Sequence, residues 1–374
     1  MGSFAFGKER RAVNAVTHME RVQPFFLVSK WGDDSVPRLL AQYHLSFAKT
    51  SFGYLGYQRP DWAAINLLHS PRLQYTVVRT YTRHQCRTIL VLGLRDFLNA
   101  LPALLYLKLC KGARFVFYLG DIPGDTFVYR RLTRLAGRLG SAVIVNSDAV
   151  KRGLLAHGLA ERQVKVIYNG VELERFQNAQ PLEIRAERRW DSDDVIVGYV
   201  GQFSENKGVE DFVRAAELVL RKDVRCRFVM TGPLDRENRC LQELREYIVR
   251  QGLDDHFAFP GRIEQVERIY AALDIVVVPS RHEDPAPNVN LEAMASGIPV
   301  IGTRTGGTPE LLADGETGFL VTPENPAEIA ERIVQLANDP ILRETMGKAG
   351  IERVRQKFDV RANARLIESV LLNS

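Results

Sequence analysis

The 374-residue chain is sparing with sulfur: it has four cysteines, Cys86, Cys110, Cys226 and Cys240. None forms a C-x-x-C pair or stands near paired histidines, which argues against a zinc site or a disulfide framework and predicts reduced thiols in a cytoplasm. Long hydrophobic runs are also missing. The densest, Phe97 to Cys110, is interrupted by Asn99, Pro102 and Lys108 and falls short of the roughly 18 apolar residues a membrane span needs. It reads as a buried helix. No charged segment followed by an apolar one opens the chain, so no signal peptide is predicted. No metal is expected.

Acidic residues are scarce in the first half, and the two halves carry opposite net charge. Residues 1 to 180 hold 25 Lys and Arg against 12 Asp and Glu, a net of +13, and the remainder holds 25 against 33, a net of −8. A basic first half can attract a phosphorylated acceptor, anionic lipid or nucleic acid. No nucleic-acid module accompanies it, which argues against the last. In TFVYRRLTRLAGRLG, Arg130, Arg131, Arg134 and Arg138 share one helical side while Phe127, Leu132, Leu135 and Leu139 take much of the other. That helix reads either as a solvated face over the core or as contact with a membrane surface or a lipid-linked pyrophosphate.

Apolar runs alternate with helical segments, the pattern of an α/β chain with parallel sheets. In the first half the predicted strands are Pro24 to Ser29, a stretch near Tyr75, Thr88 to Gly93, Arg114 to Gly120, Ser141 to Ser147 and Val164 to Gly170. Polar residues from about Gln177 to Asp193 read as a linker. The second half restarts at DDVIVGYVGQFSENKGVEDF, where Gly201 and Gly208 permit tight turns and Lys207 follows a strand, the end at which ligands bind in such sheets.

Val276 to Glu310 is the richest stretch: VVVPSRHEDPAPNVNLEAMASGIPVIGTRTGGTPE. Ile275 to Val278, stopped by Pro279, reads as an interior parallel strand. A loop with Glu283, Asp284, Pro285 and Pro287 follows, and Asn288 is predicted to cap a helix over Val289 to Ala295. A helix N-terminus suits phosphate. Glu292, one turn in, would be repelled by phosphate and suits neutral hydroxyls such as those of a ribose. Together these point to a nucleoside diphosphate with a bound sugar.

This segment resembles the signature of glycosyltransferase family 4, retaining nucleotide-sugar transferases of the GT-B fold, in which two acids are separated by seven residues. Asp284 and Glu292 have that spacing, Asp284 standing where Glu is more usual, and Glu283 comes one residue early. The resemblance implies that Glu292 bonds the ribose and that Asp284, with its loop backbone through Pro287, Asn288 and Val289, holds the donor sugar. By the same resemblance Lys207 balances the diphosphate, with Gln202 beside Gly201 where an Arg is usual. Arg262 and Ile263 after Gly261 lie beside the nucleobase, and Glu310 after Gly306 and Gly307 supports the donor site. Many relatives place a histidine where Gly120 stands. Asp121, next to it, could orient sugar or acceptor, and His282 orders the active loop.

The implied architecture is two Rossmann-like doubly wound domains facing across a cleft: residues 1–178 for the acceptor, 194–356 for the donor, and a helix at 357–374 returning to the first domain. Gly7 takes the place of the second glycine of an opening loop, and the opening strand itself is missing. The implied activity is retaining transfer from a UDP- or GDP-sugar to a glycan or lipid-linked acceptor, in cell-envelope or exopolysaccharide assembly. The nucleotide sugar is substrate, with no cofactor. The expected place is the cytoplasm or the inner face of its membrane, through peripheral contact with anionic lipid. Two other readings stay open: a weakened sugar-nucleotide-binding or regulatory homologue, and a nucleotide-sugar epimerase or hydrolase.

Overall fold

The run RFVFYL at Arg114–Leu119 alternates between two cores. Phe115, Phe117 and Leu119 enter one apolar cluster, while Val116 and Tyr118 enter another. A strand buried on both faces needs an unbroken apolar run and a parallel sheet with helices on each side. In the structure, a computed structural model, this is what forms. It describes residues 7–29, 34–50, 62–235 and 237–373, with the backbone alone for 7–10 and 62–69.

The chain forms two units, one of residues up to Gly170 together with Val360 onward, the other Val171–Asp359. The first begins with a helix, Gly7–Thr17, and a parallel pair, β1 (Phe25–Ser29) with β2 (Ser46–Thr50). Its second sheet runs β3 (Thr88–Val91), β4 (Arg114–Leu119), β5 (Ala142–Val145) and β6 (Val164–Val166), all parallel and in chain order. Burying a side chain such as Phe117 contributes about 1.5–3 kcal/mol.

The last helix, Val360–Asn373, packs on this unit. Ile367 and Leu371 join Ala15, Val116, Tyr118 and Ile144. Its polar side chains bond the same unit's backbone: Asn363 Nδ2 donates to the Tyr168 carbonyl at 3.0 Å, and the Arg21 amide donates to the buried Glu368.

The second unit holds six parallel strands in the order β12-β11-β10-β7-β8-β9. These are β7 (Val195–Val200), β8 (Cys226–Thr231), β9 (Phe257–Gly261), β10 (Ile275–Val278), β11 (Val300–Thr303) and β12 (Gly318–Val321). Chain order runs outward from β7 to one edge, then returns to β10 and runs to the other. The order reverses between β7 and β10, and in such sheets that switch point makes the ligand crevice.

Several expectations are corrected. The stretch near Tyr75 is not a strand but part of a helix, Trp62–Arg83, in which Leu73 and Val77 are buried at an i, i+4 spacing. The missed strand β2 (SFAKT) carries lysine and serine and gives little apolar signal. The helix at Leu94–Lys111 buries Phe97, Ala103, Leu104 and Leu107 but exposes Leu98, Tyr106 and Leu109, so only one side is core. In the helix Phe127–Leu139, Phe127 stands 70% exposed rather than on the buried side. Gly7 opens a helix rather than sitting in a loop, and residues 1–6 before it, where the expected opening strand is missing, lie outside the described residues. The first unit ends at Gly170, short of 178, and the segment read as a linker forms two short helices, Leu173–Gln177 and Ile184–Arg188, of the second unit.

Candidate functional site

The loops leaving β7 and β10, the two strands at the switch point, are tied together. The Asn206 carbonyl accepts from the Arg281 amide at 3.0 Å, and the Arg281 guanidinium bonds both oxygens of buried Asp211 at 2.7 and 2.6 Å. Bidentate geometry makes this a strong, directional brace. Glu210 adds a third contact at 3.3 Å, and these hydrogen-bonded carboxylates hold the guanidinium's pKa up.

Gly208 makes the approach possible. Its φ is +66°, and a Cβ there would lie 1.8 Å from the Pro279 carbonyl oxygen. Gly208→Ala is therefore expected to cost at least about 2 kcal/mol, from the left-handed backbone together with the clash. Urea denaturation measures it; an unchanged midpoint would contradict the close packing of the two loops.

The same approach joins Lys207 to Asp284 in an ion pair, with side chains 38% and 17% exposed. An ammonium has three donors, so the pair leaves others for a ligand. Asp284 is held from behind by the glycine turn: Gly307 N–H donates to its carbonyl at 2.8 Å, and Gly306, at φ +56°, would drive a Cβ within 2.1 Å of that oxygen.

Beyond the loop a helix runs Asn288–Ala295. Asn288 is its first residue, not its cap; Pro287 holds the cap position and gives no side-chain bond to the first turn. Proline cannot cap with a side-chain oxygen, and in the first turn the Asn290 N–H donates to the Pro287 carbonyl at 3.1 Å. Val289 is half-buried and Asn290 fully buried, its amide donating to Thr308 at 3.4 Å.

Glu292 is half-buried and accepts from the Tyr270 hydroxyl at 2.7 Å. Tyr270 is fully buried, and burial first, then the charge of Glu292, pushes its phenol well above the ordinary value, which keeps it a donor. Tyr199 behaves alike: burial raises its phenol, and it donates to the Gln202 carbonyl at 2.5 Å beside Gly201.

Sequence reasoning missed Tyr270, Asp211 and Arg281. Tyr270 reads as one more apolar residue of IEQVERIYAAL, and Asp211 and Arg281 stand too far apart in sequence to be paired from it.

The other expected residues fall as follows. Gln202 is exposed at the end of β7. Glu283 and His282 are exposed beside Asp284, and the His282 amide faces the Asn206 carbonyl at 3.5 Å. Arg262 is exposed and Ile263 half-buried after Gly261 at the end of the edge strand β9. The Glu310 backbone carbonyl accepts from Arg353 at 2.9 Å. Asp121 and Gly7 lie in the other unit; Asp121 is exposed just past β4. Among the described residues no three His, Cys, Asp or Glu side chains are grouped to hold a metal, and no helix is long and apolar enough to cross a membrane.

Comparison with known proteins identifies the family. The family model described as glycosyl transferases group 1 matches residues 194–339, and that of glycosyltransferase family 4 matches residues 42–175. The capsular polysaccharide biosynthesis glycosyltransferase CapM of Staphylococcus aureus is 29% identical over 62% of this chain and 61% of its own length. The alpha-D-kanosaminyltransferase of Streptomyces kanamyceticus is 30% identical over 66% of this chain and 65% of its own. The chain thus spans less than two thirds of each of these two relatives. The crystal structure of Anabaena HepE in complex with UDP superposes with a TM-score of 0.83 at 25% identity, covering 100% of this chain and 98% of that one; HepE has also been solved with UDP-glucose. With both family models matched, one in each half, and a GT-B architecture of two parallel α/β units, the chain belongs to the group 1 glycosyltransferases of the family 4 type.

Proposed function

We propose that the chain transfers a hexosyl group, with retention of configuration, from a UDP- or GDP-sugar to a glycan or lipid-linked acceptor. The observation that carries this reading is the switch-point assembly. It joins a cation, Lys207, a carboxylate, Asp284, the helix start at Asn288 and a tyrosine-held carboxylate, Glu292. The first and third suit a diphosphate and the last suits ribose hydroxyls. The HepE complexes with UDP and UDP-glucose support UDP as the first base to test.

In this reading the acceptor hydroxyl oxygen bonds to the anomeric carbon on the face the diphosphate leaves, and its proton passes to the leaving phosphate. Lys207, Gln202 and the helix amides stabilise the charge that builds there, without a metal. Asp284 and the loop from Glu283 to Val289 hold the sugar, Arg262 and Ile263 border the base, and Glu310 supports the turn beneath. Asp121 stands on the acceptor's unit. The capsular polysaccharide biosynthesis named for CapM supports an envelope or exopolysaccharide setting. Exposed Phe127 and Val128 beside Arg130 and Arg131 suit contact with anionic lipid.

A panel of UDP- and GDP-sugars read by thermal shift tests the donor. A true donor at 100 times its Kd stabilises by about 2.7 kcal/mol, and no shift with any of them would sink the reading. Proton NMR of the product then reads the anomer: retention is expected, and inversion would remove the proposed step. Neutral Gln202 favours a second reading, a homologue that binds without turnover; thermal shifts with no transfer to any acceptor would select it.

A further inference from the structure

On the helix Gly7–Thr17, Ala15 packs with Val116, Tyr118 and Ile144, and Arg11 stands one turn earlier on the same side. This carries its guanidinium over the end of β4, where Cζ lies 4.6 Å from the centre of the Tyr118 ring. Gly120 leaves the room. A Cβ at that position would lie 1.9 and 2.1 Å from the two terminal nitrogens of Arg11. The guanidinium therefore fills the space in which any other residue would begin its side chain.

Arg11 is 9% exposed, its Nε is buried without a hydrogen-bond partner, and among the described residues no carboxylate pairs with it. A buried cation is costly unless paired. The ring face of Tyr118 offsets only part of that cost.

A second orphan lies alongside. Leu119 and Val145 are partners across β4 and β5, so Gly120 and Asn146 are the next residues along the two strands. By strand alternation Asn146 shares the face of Ile144, which is the face of Tyr118. Asn146 is 2% exposed, and its Oδ1 is buried with no partner. Among the described residues, a guanidinium nitrogen and an amide oxygen, both buried without partners, thus stand at the carboxyl edge of a parallel sheet, where ligands enter such folds.

We propose that Arg11 and Asn146 form a binding site for a reactant that carries both an oxyanion, phosphate or carboxylate, and a hydroxyl. The Arg11 guanidinium donates to the oxyanion, and Asn146 Oδ1 accepts from the hydroxyl. Only the attribution of that oxyanion to an acidic acceptor rests on the transferase reading; binding itself requires no turnover.

Amide hydrogen exchange on the full wild-type chain tests the site, comparing inorganic phosphate, UDP and chloride at matched ionic strength. Phosphate is expected to slow exchange in peptides covering residues 11–17 and 116–122. Protection by phosphate without equal protection by UDP is expected of an acceptor site; equal protection by UDP would contradict the attribution to the acceptor.

Arg11→Gln, and Gly120→Ala, which keeps the charge but displaces the guanidinium, are each expected to weaken phosphate binding at least tenfold. Arg11→Lys is expected to weaken it less. Wild-type protein unprotected in these peptides by either phosphate or UDP overturns the site, as does unchanged binding by folded Arg11→Gln. Failure of sugar transfer with phosphate protection intact would count against the transferase reading alone.

Discussion

Glu292→Gln is expected to raise the Kd for UDP by about 10- to 100-fold while the protein still melts cooperatively. A hydrogen bond to a charged group contributes about 1.5–3 kcal/mol, and each 1.4 kcal/mol is a factor of ten. The substitution keeps size and polarity but turns an acceptor-only carboxylate into an amide with one acceptor and two donors. Tyr270 still donates to the amide oxygen, so the ribose hydroxyls lose the anionic partner while the helix stays packed. Tyr270→Phe gives a graded companion. It removes the 2.7 Å bond that aims Glu292 and leaves the charge, so a smaller loss is expected, within about tenfold. Calorimetry with UDP reads both. Glu292→Gln with wild-type affinity would remove Glu292 from the site.

Lys207→Ala is expected to lower kcat by about 10²- to 10³-fold, the usual cost of removing one preorganised donor from developing charge. The effect should fall on kcat more than on KM, because the diphosphate gains charge as the bond to the sugar breaks. One complication is intrinsic to the geometry: Lys207 also neutralises Asp284, whose side chain is 17% exposed. Its loss leaves that carboxylate facing the phosphates unpaired. The double variant Lys207→Ala with Asp284→Asn separates the two effects. If repulsion from Asp284 dominates, the double variant recovers activity; if Lys207 acts on the leaving group, it does not. Wild-type kcat in Lys207→Ala would contradict the proposed role.

The second unit was the more legible in sequence, for a physical reason. Its strands are buried on both faces, so VIVGYV and IVVV are unbroken apolar runs, and its loops need glycine where backbones nearly touch, as at Gly208 and Gly306. Both features mark the chain locally. Asparagine suggests a cap by propensity, so the sequence predicts the helix start one residue late, whereas the turn after Pro287 makes Asn288 already helical.

What sequence did not yield depends on tertiary partners. Tyr270 meets Glu292 across 22 positions of chain, and Arg281 meets Asp211 across 70. No spacing rule connects such residues. The first unit was harder still. β2 is a polar pair strand, and YTVVRT is rich in β-formers yet helical, since burial of Leu73 and Val77 in the tertiary core outweighs intrinsic propensity. Gly120 reads in sequence as a missing side chain, but in the fold Arg11 fills that space.

The most direct test of the central claim is a crystal structure of the chain soaked with UDP. The account predicts the diphosphate at the start of the helix Asn288–Ala295 within hydrogen-bond reach of Lys207, and the ribose hydroxyls on Glu292. UDP bound elsewhere, or absent from the switch point between β7 and β10 at saturating concentration, would contradict it.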